Sequence, residues 1–520
     1  MNLKLISKVL SFMLSLSISA CGKEKGLKNP AAADQVRKVM VSIDLNKGYQ
    51  TIDNFGASDA WSCQFAGNWP EAKKNGIADL LFSRKLKSDG SPEGIGLSFW
   101  RFNIGAGSTQ QGSQSGIGDE WRRAESFMND NGTYDWNRQS GQMWFLKAAK
   151  ERGVNNFLAF TNSPPVQMTV TKKAFASSAQ PNLARENFPA FADFLTTVIK
   201  GVQVKSGVTF NYISPVNEPQ WDWSDGGQEG TPFTNSEISG IINSLDASLK
   251  TNNLNTKITV SEAGQYEFLY SANGKADKGN QIEAFFDSSS PNYIGNLSSV
   301  EKLICGHSYF TTSSYAKAAG IRKQVAAKIS SVSGLGFWQS EYCILGDNEN
   351  EMKGEGRDLS IAPALYLARV IHNDLVNASA SAWQWWLALS PYDYKDGLIY
   401  IDKNKTDGAH YPSKMLWALG NYSRFITPGS VRLDVVSNGG EPEVLASSYK
   451  TNDNKLVTVV INSTPQAVEL SLALNNGKLK DLTTYITSAT KDLLIKRALP
   501  ADKPIVLEPQ SITTFLSDLE

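Results

Sequence analysis

The chain has 520 residues, 41% of them hydrophobic and 20% charged, an ordinary globular composition with enough apolar material for a large core and a second domain. Its 51 basic and 51 acidic residues cancel, which removes the electrostatic reason to expect nucleic acid as a partner. Thirteen Trp and seventeen Tyr supply both core and flat faces on which the apolar side of a sugar ring can stack.

At the N-terminus, Lys4 and Lys8 precede an apolar stretch from Val9 to Ile18, too short for a permanent membrane span and of signal-peptide length. It ends in Ile18-Ser19-Ala20-Cys21, which resembles the lipobox of bacterial lipoproteins. That resemblance implies a signal over residues 1–21, lipidation of Cys21 and a polar tether over 22–36. The expected product is exported and lipid-anchored to the outer membrane, facing the periplasm or the cell surface. A plain secretory signal with an incidental cysteine is the alternative. Cys63, Cys305 and Cys343 are odd in number and match no zinc spacing, so neither a disulfide nor a zinc site is expected.

Val39, Val41, Ile43 and Leu45 alternate with Lys38, Met40, Ser42 and Asp44, the period of a half-buried strand over 37–47. From 48 to 427, short apolar runs alternate with amphipathic helical stretches, as in a parallel α/β sheet. Eight strands are expected to end near Ser58, Phe102, Phe160, Val216, Ser261, Gly306, Gln339 and Trp383, and eight repeats favour a closed (β/α)8 TIM barrel. Residues 428–520 lose the helical pattern and read as six strands of an antiparallel β-sandwich that the N-terminal strand joins. Asp402 to Gly408 lacks the sixth-position Gly and twelfth-position acid of a calcium loop and reads as a turn, so no metal is expected.

Two of the expected strands deliver a carboxylate at their C-terminal ends. Tyr212-Ile-Ser-Pro-Val-Asn217-Glu218-Pro219 carries Glu218, and Gly334-Leu-Gly-Phe-Trp-Gln-Ser340-Glu341 carries Glu341. Breaking an acetal takes a protonated acid at the leaving oxygen and a second carboxylate that attacks the anomeric carbon or activates water. The spacing places the pair on strands four and seven, facing each other across the barrel mouth. Glycoside hydrolysis on a polysaccharide or oligosaccharide follows, with no metal or organic cofactor.

In this ordered set the chain resembles glycoside hydrolase family 30, within the retaining (β/α)8 clan. The resemblance implies that Glu218 is the general acid/base and Glu341 the nucleophile, with Asn217 beside the former. It implies that Asp59, in Phe55-Gly-Ala-Ser-Asp59-Ala-Trp61, binds hydroxyls of the sugar at the cleaved bond, with Trp61 nearby. Arg101 would steady the nucleophile, and His307 and Tyr309 form a His-x-Tyr element whose Tyr hydroxyl bonds it. Trp385 would floor the glycone subsite, with Trp383 the other choice for that role. Asn162 sits in a Ser-Pro turn where Val166 and Met168 replace the tryptophans common in the family. Apart from the resemblance, Trp221 and Trp223 directly follow Glu218 and would build the aglycone side, and Glu262, ending the fifth strand, is the main rival carboxylate, read as a minor substrate contact. The opening segment and Asn217 to Trp223 are most similar to the branch acting on β-1,6-galactan, with β-1,6-glucan the nearest alternative. A monomer is expected. A surface glycan-binding lipoprotein without turnover is the rival from another class.

Overall fold

The computed structural model describes residues 36–519, so the expected signal peptide, the lipobox-like run ending in Cys21 and nearly all of the expected tether lie outside the described residues. Arg37–Thr51 (β1) belongs to a C-terminal sheet. The strands Asn54–Ser58 (β2), Phe99–Asn103 (β3), Asn156–Phe160 (β4), Tyr212–Ser214 (β5), Lys257–Ala263 (β6), Val300–His307 (β7), Gly336–Glu341 (β8) and Ala382–Ser390 (β9) pair in parallel, in chain order. Because β9 pairs with both β2 and β8, the eight close into a barrel. Gly397–Ile401 (β10) and His410–Pro412 (β11) extend β9 beyond the ring.

Every residue of β2, β3 and β9 is buried, since helices cover one face and the barrel interior the other. That double burial is why these strands appear in the sequence as continuous apolar runs. Helices Phe188–Ser206 and Asn235–Thr251 bracket β5. The second starts at Thr234, whose hydroxyl accepts from the Glu237 amide while Glu237 reaches back, a capping box that fixes where the long loop after β5 ends.

Phe99, Tyr212 and Trp338 meet in the barrel interior with ring centroids 4.9 to 6.1 Å apart. Two residues further along the same faces stand Arg101 and Ser340, one layer nearer the C-terminal rim. At that rim the ladder breaks three times. On β8, Gln339 and Glu341 pair with consecutive residues of β7, skipping Ser340; on β9, Trp385 and Leu387 pair with consecutive residues of β2, skipping Trp386. On β6, Val260 and Ala263 pair with Ile304 and Gly306 of β7, so one extra β6 residue is accommodated around Glu262. Such bulges re-aim side chains that strict alternation would send elsewhere.

The C-terminal sheet adds Val431–Ser437 (β12), Val444–Lys450 (β13), Lys455–Asn462 (β14), Val468–Asn475 (β15), Leu482–Ser488 (β16), Lys491–Leu499 (β17), Ile505–Leu507 (β18) and Ser511–Asp518 (β19). Its order is β17-β16-β19-β14-β13-β12-β1-β15-β18. Val41 and Ile43 of β1, Leu470 of β15, Leu482 of β16 and Phe515 of β19 share one core, so the sheet folds over on itself as a sandwich. It differs from the expectation in two ways: β1 runs parallel to β15, and β17 and β18 are additional strands. β17 is an edge strand with mostly exposed or half-exposed residues, so it lacks the apolar alternation that identifies a strand in sequence. Cys63, Cys305 and Cys343 are buried free thiols. Among the described residues no helix is long and apolar enough to cross a membrane.

Candidate active site

Glu218 sits four residues past the short strand β5, in a left-handed backbone conformation (φ 42°). A non-glycine residue held there costs on the order of 1–2 kcal/mol and persists only when neighbours fix it. Here the Glu218 amide donates to the Glu262 carbonyl at 2.9 Å, and Trp223 Nε1 donates to the Glu218 carbonyl at 2.9 Å. Two glycines seat the flanking indoles: a Cβ on Gly264 would lie 2.4 Å from Trp221 Nε1, and one on Gly230 would lie 2.5 Å from the Trp223 ring.

Glu341, re-aimed by the β8 bulge, is 3% exposed. It accepts from Arg101 Nη1 at 3.0 Å and from the Tyr309 hydroxyl at 3.2 Å. Carboxylate oxygens of Glu218 and Glu341 lie within 4.8 Å of each other, with a His307 ring nitrogen in the same group. His307 is fully buried between carboxylates: Nδ1 is 2.8 Å from Glu218 Oε1 and 3.6 Å from Glu341, and Nε2 is 3.0 Å from Glu262 Oε2.

The electrostatics follow from this packing. Burial opposes charging the His307 ring, but the Glu341 charge and the hydrogen bonds to Glu218 and Glu262 outweigh it and bring its pKa up to about 10. Burial raises the Glu218 carboxyl; His307 opposes that rise and the Glu341 and Glu262 charges reinforce it, leaving it above the ordinary glutamate value. Glu262 is also buried, yet the His307 hydrogen bond, Arg101 and Ser340 overcome burial and hold it at about 2. The site therefore holds one carboxyl biased toward its acid form and a second gripped by a guanidinium and a phenol.

Glu218 and Glu341 share a cleft of about 510 Å³, whose other walls are Asn217, Trp221, Trp223, Gln228, Gln265, Tyr309, Phe310, Leu345 and Trp386. Aromatic faces with a few amides between them suit a sugar chain. Phe310 is the least expected wall residue: it is 54% exposed, in a left-handed conformation (φ 62°), and edge-on to Trp221 at 6.0 Å. Its only hint in the sequence is its place one residue after Tyr309.

Of the residues read from the sequence, Glu218, Glu341, Asn217, Trp221, Trp223 and Tyr309 line the cleft, with Arg101 and His307 directly behind it. The glycone platform is corrected. Trp383 and Trp385 are fully buried, their Nε1 atoms donating to Asp374 Oδ2 and the Asp396 carbonyl, while Trp386 faces the cleft. The β9 bulge at Trp386 is the physical reason. Trp61 is 4% exposed and stands edge-on to Trp386 at 5.3 Å. Glu262 is likewise corrected from a substrate contact to a buried partner of His307, Ser340 and Arg101.

Asp59 is fully buried; its Oδ1 accepts from the Asn103 amide and Gln142, and burial, against those bonds, pushes its pKa up to about 8. Among the described residues, Asp59 Oδ2, both amide atoms of Asn103 and of Asn162, and Asn217 Oδ1 are buried without a partner. Missed by the sequence reading, Asn103 ends β3 two residues after Arg101.

Among the described residues, Glu218, His307 and Glu341 are the only group whose donor atoms converge closely enough to hold a metal ion. A charged His307 ring donates at both nitrogens and keeps no lone pair for a cation, so this chemistry does not fit a metal.

Residues 38–400 match the O-glycosyl hydrolase family 30 profile, and residues 429–515 match the family 30 beta sandwich domain. A conserved exported protein from Bacteroides fragilis is 34% identical, covering 92% of this chain and 100% of that one, with a TM-score of 0.85. Glucuronoxylanase XynC from Bacillus subtilis is 32% identical over 158 residues, which are 29% of this chain and 34% of that enzyme. An endo-beta1,6-glucanase shares the fold at 14% identity, covering 92% of this chain and 93% of that one, with a TM-score of 0.65. With its catalytic and sandwich portions both matched, the chain belongs to O-glycosyl hydrolase family 30.

Proposed function

We propose that this glycoside hydrolase is a retaining β-glycanase working by double displacement. Glu341 attacks the anomeric carbon while Glu218 donates its proton to the departing glycosidic oxygen, forming a glycosyl ester on Glu341. Glu218, now a carboxylate, removes a proton from a water that attacks the same carbon. The ester bond breaks, the sugar leaves with its original configuration, and both side chains return to their starting states. The observation that carries this reading is the approach of the two carboxylates to within 4.8 Å. Inverting enzymes separate theirs by roughly 6.5–9.5 Å to admit a water between them.

For substrate, the similarity of Asp59 to Phe65 and of Asn217 to Trp223 to the β-1,6-galactanase branch supports β-1,6-linked galactan, with β-1,6-glucan next. The partial match to a glucuronoxylanase supports β-1,4-linked glucuronoxylan as a second reading. In all three, Trp386 floors the glycone site, and Trp221 with Phe310 frames the aglycone side. Export accords with the exported Bacteroides fragilis relative, and the lipid anchor on Cys21 rests on the lipobox-like Ile18-Ser19-Ala20-Cys21.

The test is to incubate the protein with β-1,6-galactan, β-1,6-glucan and glucuronoxylan, size the products and read the anomer first released by proton NMR. Release of β-anomers from galactan is expected. A first-formed α-anomer would overturn the retaining mechanism, and cleavage of glucuronoxylan alone would overturn the galactan assignment.

A further inference from the structure

The displacement chemistry leaves one carboxylate of the rim without a task. Glu262 is 1% exposed and is not among the residues that line the cleft. Its Oε2 accepts from Ser340 Oγ at 2.6 Å and meets His307 Nε2 at 3.0 Å, with Arg101 Nη2 at 3.9 Å. Its backbone carbonyl accepts from the Glu218 amide at 2.9 Å. Glu262 thus grips Glu218 twice, directly through the main chain and, through the His307 ring, at the carboxyl group. Both glutamates have left-handed backbone conformations (φ 42° and 51°), a paired distortion that this double grip maintains.

We propose that Glu262 is a positioning residue for the general acid/base: it holds a charged His307 against Glu218 and supplies the negative charge that keeps the cluster neutral while Glu218 carries its proton. The inference rests on the reading of Glu218 as acid/base and Glu341 as nucleophile. Arg101 and His307 each carry a positive charge, and Glu262 and Glu341 each a negative one, so the sum is zero when Glu218 is protonated. Forming the glycosyl ester removes the Glu341 charge, and the sum returns to zero when Glu218 loses its proton. The same fixed charge therefore favours an acid before the first displacement and a base after it.

The other titratable groups facing the cluster do not alter this count. The Cys305 and Cys343 thiols and the Tyr309 phenol are pushed up by burial and stay neutral, and so does Asp59 at neutral pH.

Glu262→Gln in the full chain tests the proposal. The sequence holds three histidines, so ¹⁵N-histidine labelling gives three sets of ring signals, with that of His307 assigned by its loss in His307→Gln. In the parent the His307 ring stays doubly protonated through neutral pH. In Glu262→Gln it is expected to lose its proton at least about one pH unit earlier. The basic limb of kcat/KM moves the same way, because removing a negative charge beside two bound protons makes the first easier to lose, whichever site releases it. The rate falls more on a glycan than on an aryl glycoside whose leaving group needs no acid. Glu262→Asp keeps the charge but withdraws it by a methylene, so it shifts both readouts in the same direction by less and serves if the Gln variant does not fold.

An unchanged His307 titration in a folded variant would overturn the proposal. So would an equal rate loss on both substrates with an unmoved pH limb, which is what a merely structural role would give. A parent inactive on every glycoside would instead overturn the assignment of Glu218 and Glu341, while the ring titration would still decide whether Glu262 holds His307 charged.

Discussion

His307 and Ser308 are neighbours in the chain but belong to two buried polar clusters of opposite character. Ser308 joins Asp374, Arg322, Tyr266 and Trp383, where Asp374 accepts from Tyr266 at 3.0 Å, Ser308 at 2.9 Å, Arg322 Nε at 2.7 Å and Trp383 at 2.9 Å. That carboxylate is saturated by the protein itself. His307 joins Glu218, Glu262, Arg101 and Glu341, where Arg101 Nε and Nη2, Glu262 Oε1 and Asn217 Oδ1 are buried without hydrogen-bond partners among the described residues. Buried polar groups left unpaired cost roughly 1–3 kcal/mol each, so a fold keeps them only where something else returns the energy. Apart from Arg322 Nη2, the Asp374 cluster is closed by its own hydrogen bonds among the described residues, whereas the His307 cluster keeps several polar atoms unpaired directly behind the cleft.

The sharpest way to break this contrast is to remove one member of each cluster. Glu341→Gln should lower kcat on the glycan by on the order of 10⁴-fold or more while leaving the thermal unfolding midpoint within a few degrees of the parent. Asp374→Asn should do the reverse. It strands the buried Arg322 charge and should cost about 3–5 kcal/mol in chemical denaturation, with kcat of the folded protein changed far less. If both variants lost activity and stability in the same proportion, the two clusters would be one structural unit.

A second pair of buried groups sharpens the contrast through pH. Burial, together with the Arg432 charge, holds His372 down at about 3, whereas His307 lies at about 10. Unfolded, both titrate near 6.5. His372 stays neutral in the fold, so its penalty is absent above pH 6.5 and grows as pH falls toward 3, when only the unfolded chain takes up its proton. His307 contributes stability in full below pH 6.5 and loses it as pH rises through 10. His372→Gln should therefore flatten the acid arm of the stability curve, by up to roughly 4 kcal/mol near pH 3, and leave the alkaline arm in place. Denaturant midpoints from pH 3 to 10 check this, and an unchanged acid arm would contradict it.

The smallest expected effect lies at the cleft mouth. Phe310→Ala should raise KM on an oligosaccharide about three- to tenfold with little change in kcat, as loss of one stacking face predicts, and should leave a short aryl glycoside unaffected if the ring contacts only the aglycone side. Equal changes on both substrates would place Phe310 elsewhere along the chain of sugars.

The barrel was legible because its strands are buried on both faces over most of their length and stand out as apolar runs, several of them closed by a polar residue. Glu218 and Glu341 were legible for the same reason, since each carboxylate closes or closely follows such a run. What stayed hidden lies at the bulges. The family resemblance put Trp385, or else Trp383, on the cleft floor, and one skipped ladder position at Trp386 turned that residue to the cleft instead. Glu262 looked like a third rim carboxylate facing substrate, because nothing in Ser-Glu-Ala discloses that His307, Ser340 and Arg101 close over it. Phe310 was hidden by its type: an aromatic residue after a buried strand suggests core, and only its left-handed backbone turns it to solvent.

If Glu341 forms a bond to the sugar while Glu218 handles the proton, that bond can be trapped. Treating the protein with a 2-deoxy-2-fluoro glycoside carrying a good leaving group slows the second displacement and traps the intermediate, which proteolysis and mass spectrometry can locate. One glycosyl unit per chain is expected, on the peptide bearing Glu341, and none on a Glu341→Gln variant. A label on Glu218 or Glu262, or turnover by Glu341→Gln at the parent rate, would contradict that assignment.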